Sequence, residues 1–187
     1  WARYCRAKDL SSHQETILSE PYHFDPFTRK QPWYFQRIAI DRAVEAIAKG
    51  QKRLLIVMAT GTGKTFTAFQ IIWRLQQTKT VKRVLYLADR NILIDQTMQQ
   101  DFKPFEKIMT KVQSRVLDSS YEIYMSLYHQ LAGDENEEPF REFKPEFFDL
   151  VVVDECHRGS AREDSQWRKI LDYFSEAIHI GMTATPK

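Results

Sequence analysis

The sequence lacks three features that would each point to a different class of protein: paired cysteines, long hydrophobic runs and a strong excess of one charge. Only Cys5 and Cys156 occur in 187 residues, which is too few for a disulfide framework and favours a reducing, cytoplasmic setting. The longest apolar runs, such as Leu54–Ala59, have about six residues, far below the roughly 20 that cross a bilayer. The N-terminus shows no signal-peptide pattern.

The charges nearly cancel, with 27 Lys and Arg against 25 Asp and Glu and a formal net charge of +2. A nucleic-acid-binding surface therefore cannot be inferred from overall charge and would have to come from local clusters. The content of 43% hydrophobic and 28% charged residues is typical of one globular domain with a full core. Since the chain begins at Trp1 and ends at Lys187 beside a loop signal, we expect it to be part of a longer protein.

The spacing of apolar residues predicts helices alternating with strands after residue 32. Residues 1–32 hold three of the seven prolines and no persistent period, which predicts a linker or the tail of a preceding domain. Short apolar runs predict strands at Leu54–Met58, Val84–Ala88, Glu122–Leu127, Leu150–Val153 and Ile178–Met182. Helical spacing predicts helices at 33–50, from Lys64 to about Gln77, at Asn91–Phe102 and at Ser165–Phe174. Residues 33–187 are thus predicted to form an α/β domain with a mainly parallel central sheet covered by helices on both faces.

A glycine-rich loop, Met58-Ala-Thr-Gly-Thr-Gly-Lys-Thr65, follows the first predicted strand and opens a helix. Backbone N–H groups at a helix N-terminus can surround a triphosphate when no side chain obstructs them. The strict phosphate-loop pattern has glycine at the position of Met58. The alternative to a phosphate-binding loop is a glycine-rich turn that is followed by Lys-Thr by chance. The strand–loop–helix context favours an ATP site with Mg²⁺ held by Thr65. The residues predicted to hold the phosphates are Thr60, Gly61, Thr62, Gly63, Lys64 and Thr65.

A second group of polar residues follows the predicted strand Leu150–Val153. Asp154 is suited to the Mg²⁺ shell and Glu155 to orienting the attacking water, because ligands bind at the carboxyl ends of parallel strands. His157 could belong to the same catalytic group or could be an ordinary polar loop residue. Thr183 and Thr185 end the last strand and point the same way, so they could hydrogen-bond to Asp154 or His157 and sense the γ-phosphate.

Taken together, Ala59–Thr65, Asp154-Glu-Cys-His157 and Thr183-Ala-Thr185 resemble motifs I, II and III of superfamily 2 helicases and translocases, in the order found in their first RecA-like lobe. The second motif is similar to a DExH box. This resemblance implies a RecA-like P-loop fold.

The same resemblance implies two further sets of contacts. Trp33–Ile40 is similar to the Q-motif region, so Gln36 would read the adenine edge and either Arg37 or a nearby aromatic residue would pack on the base. Alternatively, Gln36 is a polar position on an amphipathic helix. The stretches Leu87–Gln96 and Ile123–Gln130 resemble segments that contact the nucleic-acid backbone. They imply DNA contacts at Arg90, Gln96 and Ser126, although Arg90 could be an ordinary loop cation.

The combination of ADRNILIDQ, SLYHQL and VVVDECHRGS looks most like the motor part of the restriction subunit of type I restriction enzymes. That family pumps double-stranded DNA with ATP and cuts it with a separate nuclease domain. The resemblance implies modification and specificity subunits as partners, and a second RecA-like lobe outside this chain, without which the lobe should hydrolyse ATP poorly. The alternatives are a DExH RNA helicase, a DNA-repair translocase or a non-enzymatic nucleotide switch. Glu155 argues against the switch, because a protein that only binds a nucleotide needs no positioned base.

Overall fold

The computed structural model describes residues 9–112, 120–133, 138–154 and 168–185. Within these residues six strands form one sheet in the order β1-β6-β5-β2-β4-β3, and all neighbouring strands are parallel. The strands are β1 Arg53–Val57, β2 Val84–Ala88, β3 Met109–Lys111, β4 Ile123–Leu127, β5 Leu150–Asp154 and β6 Ile178–Thr183.

Helices connect the strands on both sides of the sheet. The α-helices are α1 Ser12–Ser19, α2 Tyr34–Ala48, α3 Lys64–Gln77, α4 Asn91–Gln99 and α5 Tyr128–Ala132. Two 3₁₀ helices span Lys103–Ile108 and Pro139–Glu142, and residues 168–173 are also helical. None of the helices in the described parts of the chain is long and apolar enough to cross a membrane.

Two hydrophobic cores lie on opposite faces of the sheet, because successive side chains of a strand point in opposite directions. Tyr86 and Val152 face the core that α2 and α3 cover, whereas Leu85 and Val151 face an aromatic core built largely from the segments around Phe143 and Phe174. Every residue of β2, β4 and β5 is buried, as parallel strands with two covered faces require. The predicted α/β fold class is confirmed.

The elements differ from the sequence-based expectation in several places. A helix, α1, forms in a segment where no helical period was expected, because Ser11 and Gln14 make a reciprocal capping box and Ile17 is buried. The three-residue strand β3 was not predicted, since so short a run gives no measurable period. Helix α4 ends at Gln99 rather than Phe102, whose ring instead packs in the core.

The segment before α2 is attached to α3, the helix that follows the glycine-rich loop. Gln70 is fully buried, and its amide accepts from the His23 N–H at 2.9 Å and donates to the His23 carbonyl at 3.1 Å. One turn later, Arg74 donates to the Leu18 carbonyl at 2.6 Å and pairs with Asp41 at 2.7 Å. Side chains of α3 therefore satisfy backbone groups of residues 18–23, which pack as part of this fold.

Replacing Gln70 by alanine should loosen this attachment. The change leaves the His23 N–H and carbonyl without their side-chain partner, so we expect a loss of about 1–3 kcal/mol in the free energy of unfolding and faster hydrogen exchange at the His23 amide. Gln77→Ala makes the same substitution at the exposed end of α3 and is the control. Urea unfolding and amide exchange measure both variants, and equal effects would contradict the assigned role of Gln70.

Candidate nucleotide and metal site

The strand order brings the predicted ATP motifs to one edge of the sheet. Strand β6 lies between β1 and β5, and adjacent strands are about 4.8 Å apart, so the ends of β1 and β5 lie about 10 Å apart. All three strands run in the same direction, so their carboxyl ends meet at this edge. The Met58 N–H donates to the Thr183 carbonyl at 2.9 Å, which fixes the start of the loop to the end of β6.

The glycine-rich loop turns tightly into the N-terminus of α3. Gly61 and Gly63 have φ values of 78° and 81°, which glycine adopts without strain, and Gly63 is the N-cap of the helix. The Thr62 hydroxyl donates to the Ala59 carbonyl at 2.6 Å, which closes the turn. Thr60 and Gly61 are exposed at the tip. The loop thus presents backbone with little side-chain obstruction at a helix N-terminus, as an anion site requires.

Lys64 is the one basic side chain that the loop itself supplies. It lies in the first turn of α3 and is only 8% exposed, with Nζ 3.5 Å from the Met58 carbonyl oxygen. The first turn of this helix has no acidic residue. The partial positive charge of the helix N-terminus and the Lys64 ammonium therefore both favour a phosphate here.

Gln36 holds the loop from the side of α2. Its oxygen accepts from the Trp33 N–H at 2.9 Å, which caps α2, and its nitrogen donates to the Thr62 carbonyl at 2.8 Å. The predicted contact with adenine stays a prediction. It would use the second N–H and the second oxygen lone pair of the Gln36 amide, which these two hydrogen bonds do not occupy. Arg37 is exposed and donates to the Pro32 carbonyl at 2.9 Å, so its packing near a base also stays a prediction.

Asp154 and Thr65, the two predicted metal ligands, both lie near the Tyr86 hydroxyl. Asp154 is 8% exposed at the end of β5, and its Oδ2 accepts from the Tyr86 hydroxyl at 2.8 Å. Burial and the Asp154 carboxylate raise the pKa of Tyr86 well above its usual value, whereas the neighbouring Thr65 side chain lowers it. A hydroxyl and a carboxylate are hard oxygen donors, which fit Mg²⁺ bound by a few protein groups together with phosphates.

Tyr86 was missed in the sequence because it lies inside an apolar strand, 68 residues from Asp154. The available signal was a single hydroxyl in an otherwise apolar, fully buried run, since a buried tyrosine hydroxyl usually has a specific partner.

The remaining predicted residues of the ATP site are only partly defined. The Thr183 hydroxyl donates to the Thr185 carbonyl at 3.1 Å and accepts from the Thr185 N–H at 3.2 Å, which closes a local turn at the end of β6. Coupling of Thr183 and Thr185 to the γ-phosphate stays a prediction. Glu155 and His157 lie outside the described residues, so their roles also stay predictions.

The three predicted DNA contacts have different surroundings. Arg90 follows β2 with a side chain 67% exposed, 3.6 Å from Asp89, and Gln96 is exposed on α4. Ser126 is only 1% exposed and its hydroxyl donates to the Leu127 carbonyl. The predicted DNA contact at Ser126 stays a prediction, and in this conformation its hydroxyl is buried. The neighbouring His129 and Gln130 are exposed.

The comparisons with known proteins agree with this geometry. The family described as Type III restriction enzyme, res subunit, matches residues 29–187. The chain belongs to this family. It is 54% identical to the endonuclease subunit of the type I restriction enzyme EcoAI from Escherichia coli, over 100% of this chain but only 23% of the relative. This chain thus spans about a quarter of that relative's length.

Two solved structures place this member of the family among helicase folds. A fragment assigned to the HsdR subunit of a type I restriction enzyme from Vibrio vulnificus YJ016 is 38% identical and aligns with a TM-score of 0.77, over 100% of this chain and 31% of that one. The UvsW helicase of bacteriophage T4 aligns with a TM-score of 0.67 at 13% identity, over 98% of this chain and 68% of that one. The second likeness shows the fold alone, a RecA-like helicase lobe.

The contact between Gly63 and Gln36 leads to a prediction about Gly63→Ala. A methyl group at Gly63 would overlap with Nε2 of Gln36, whereas at Gly50, which has a similar φ of 86°, it would meet nothing within 4 Å. Both substitutions strain the backbone by about 1–2 kcal/mol, but only Gly63→Ala must displace Gln36 from its two hydrogen bonds. We expect Gly63→Ala to lower the free energy of unfolding by about 1–2 kcal/mol more than Gly50→Ala.

Chemical denaturation of the two alanine variants tests this difference. Adding Gln36→Ala to Gly63→Ala removes the overlap, so the two changes should be non-additive. Additive effects, or equal losses at Gly63 and Gly50, would contradict the contact as the cause.

Proposed function

We propose that this chain is the ATP-binding lobe of an ATP-dependent double-stranded DNA translocase, the motor of a type I restriction subunit. One observation carries the proposal: the phosphate loop, Lys64 and Asp154 meet at the carboxyl edge of three adjacent parallel strands. Membership of a restriction-enzyme family and 54% identity to a type I endonuclease subunit support the biological setting.

In the proposed reaction each residue has one task. Lys64 neutralises charge that develops on the phosphates, and the backbone of Thr60–Gly63 surrounds them. Thr65 and Asp154 would hold Mg²⁺, which when bound supplies positive charge to the β- and γ-phosphates. Glu155 orients the attacking water. His157, Thr183 and Thr185 would couple the state of the nucleotide to the grip on DNA.

The DNA-binding side of the proposal rests on the same edge of the sheet. Arg90, directly after β2, is exposed there, and Gln96 is exposed on the helix that follows. With a net charge of only +2, the chain has little non-specific attraction for DNA. A second RecA-like lobe would close the ATP cleft, supply an arginine finger and complete the DNA track. Modification and specificity subunits, a nuclease domain and a cytoplasmic location belong to the same proposal.

Lys64→Ala tests the ATP site directly. Removing one transition-state donor typically lowers turnover on the order of 100- to 1,000-fold, and the loss of a cation beside the phosphates should also weaken ATP binding. Lys82→Ala removes an exposed lysine between α3 and β2 and should change neither property. Binding of a fluorescent ATP analogue and phosphate release by the complete protein are the measurements. Unchanged turnover in Lys64→Ala would refute the phosphate-loop assignment.

Stimulation of ATP hydrolysis by nucleic acid separates the proposed translocase from its rivals. We expect duplex DNA to stimulate the complete protein, which should displace a triplex-forming strand, while residues 1–187 alone hydrolyse ATP poorly. An arginine finger from a second lobe is worth roughly 1,000- to 100,000-fold in related hydrolases. Stimulation by RNA instead would favour an RNA helicase, and absence of hydrolysis by the complete protein would favour a nucleotide switch. Robust DNA-stimulated turnover by the isolated lobe would contradict the two-lobe requirement.

A further inference from the structure

Tyr86 is a buried tyrosine of the sheet that the proposed reaction does not yet use. It is the middle residue of β2, is 0% exposed and faces the core beneath α3, with its ring packed edge-on against Phe102 at 5.3 Å. A phenylalanine would fill the same space without a polar atom. Burying a hydroxyl is unfavourable unless it is hydrogen-bonded, so the reason for a tyrosine must lie in what the hydroxyl contacts.

The Tyr86 hydroxyl donates to one of the two groups proposed to bind the metal. It is 2.8 Å from Asp154 Oδ2. An ionised carboxylate can only accept, so the tyrosine proton goes to Asp154. Thr65, the other proposed ligand, lies close enough to the same hydroxyl to lower its pKa, against the larger opposite effects of burial and of Asp154.

This direction matters for the proposed ligand at the end of β5. The carboxylate of Asp154 is held through Oδ2, which fixes its rotation before an ion arrives. Groups that orient a metal ligand in this way raise the affinity for the metal, and removing one typically costs about 10- to 100-fold.

We propose that Tyr86 is a positioning residue that presets Asp154 to receive Mg²⁺ together with ATP. This inference rests on the proposed function and deepens it. Tyr86 contacts neither nucleotide nor water in the reaction; it acts through the carboxylate that accepts its hydrogen bond. It also ties the end of β5, where Asp154 lies, to β2, a strand that carries no ATP motif.

Tyr86→Phe in the complete protein is the test, because it removes only the hydroxyl. Tyr173→Phe is the matched control, since its hydroxyl donates to the Phe143 carbonyl at 2.8 Å in the other core, away from the ATP site. Binding of a fluorescent ATP analogue is measured at increasing Mg²⁺ concentrations and in EDTA, and thermal unfolding is recorded for each variant.

We expect the Mg²⁺ concentration for half-maximal ATP binding to rise roughly 10-fold in Tyr86→Phe, the lower end of the effect of removing a partner of a metal ligand. Affinity for ATP in EDTA should stay within about twofold of the unmodified protein, because the phosphate loop and Lys64 are unchanged. Tyr173→Phe should alter neither binding property, even where it lowers the melting temperature as much as Tyr86→Phe does.

Two results overturn the inference while leaving the proposed function intact. In the first, the Mg²⁺ concentration for half-maximal ATP binding to Tyr86→Phe is unchanged or lower. In the second, the affinity of Tyr86→Phe for ATP falls as much in EDTA as it does in Mg²⁺, which would indicate general disorder at the site. If the unmodified protein fails to bind ATP with Mg²⁺, the proposed function fails and the inference fails with it.

Discussion

The candidate site depends on one strand pairing, the insertion of β6 between β1 and β5. Lys64 after β1 and Asp154 at the end of β5 are 90 residues apart in sequence, and this pairing leaves one strand between the two strands that carry them, a spacing of about 10 Å. Because all three strands are parallel, the loop, Asp154 and Thr183 lie at the same edge. The Met58–Thr183 hydrogen bond extends the pairing into the loop itself, so a shift in the register of β6 would move both halves of the site.

Helix α3 connects this edge to the rest of the lobe. Its N-terminus faces the proposed phosphates, Gln36 of α2 holds the preceding loop at Thr62, and Gln70 and Arg74 further along bind the backbone of residues 18–23. The family match begins at residue 29, yet these hydrogen bonds extend the packed unit further upstream. Residues 18–23 are therefore attached directly to the helix that opens the candidate ATP site.

The motifs could be predicted from the sequence because their chemistry is local. Gly61, Gly63 and Lys64 lie within four residues, and a strand before and a helix after them are visible as apolar patterns. Strand order is not local, so the Tyr86–Asp154 bond and the Gln70–His23 clamp, 68 and 47 residues apart, could not be read from spacing. The burial of Ser126 could not be predicted for a related reason: it is decided by the strands on either side of β4.

The most direct measurement of the central claim is a crystal structure of the complete protein with a non-hydrolysable ATP analogue and Mn²⁺ in place of Mg²⁺. Anomalous scattering then locates the ion without reference to any assumed ligand. The account predicts one Mn²⁺ between the Thr65 hydroxyl and the Asp154 carboxylate, coordinated by phosphate oxygens, with the γ-phosphate beside Lys64. An ion bound elsewhere, or phosphates that do not contact the Gly61–Thr65 loop, would contradict it.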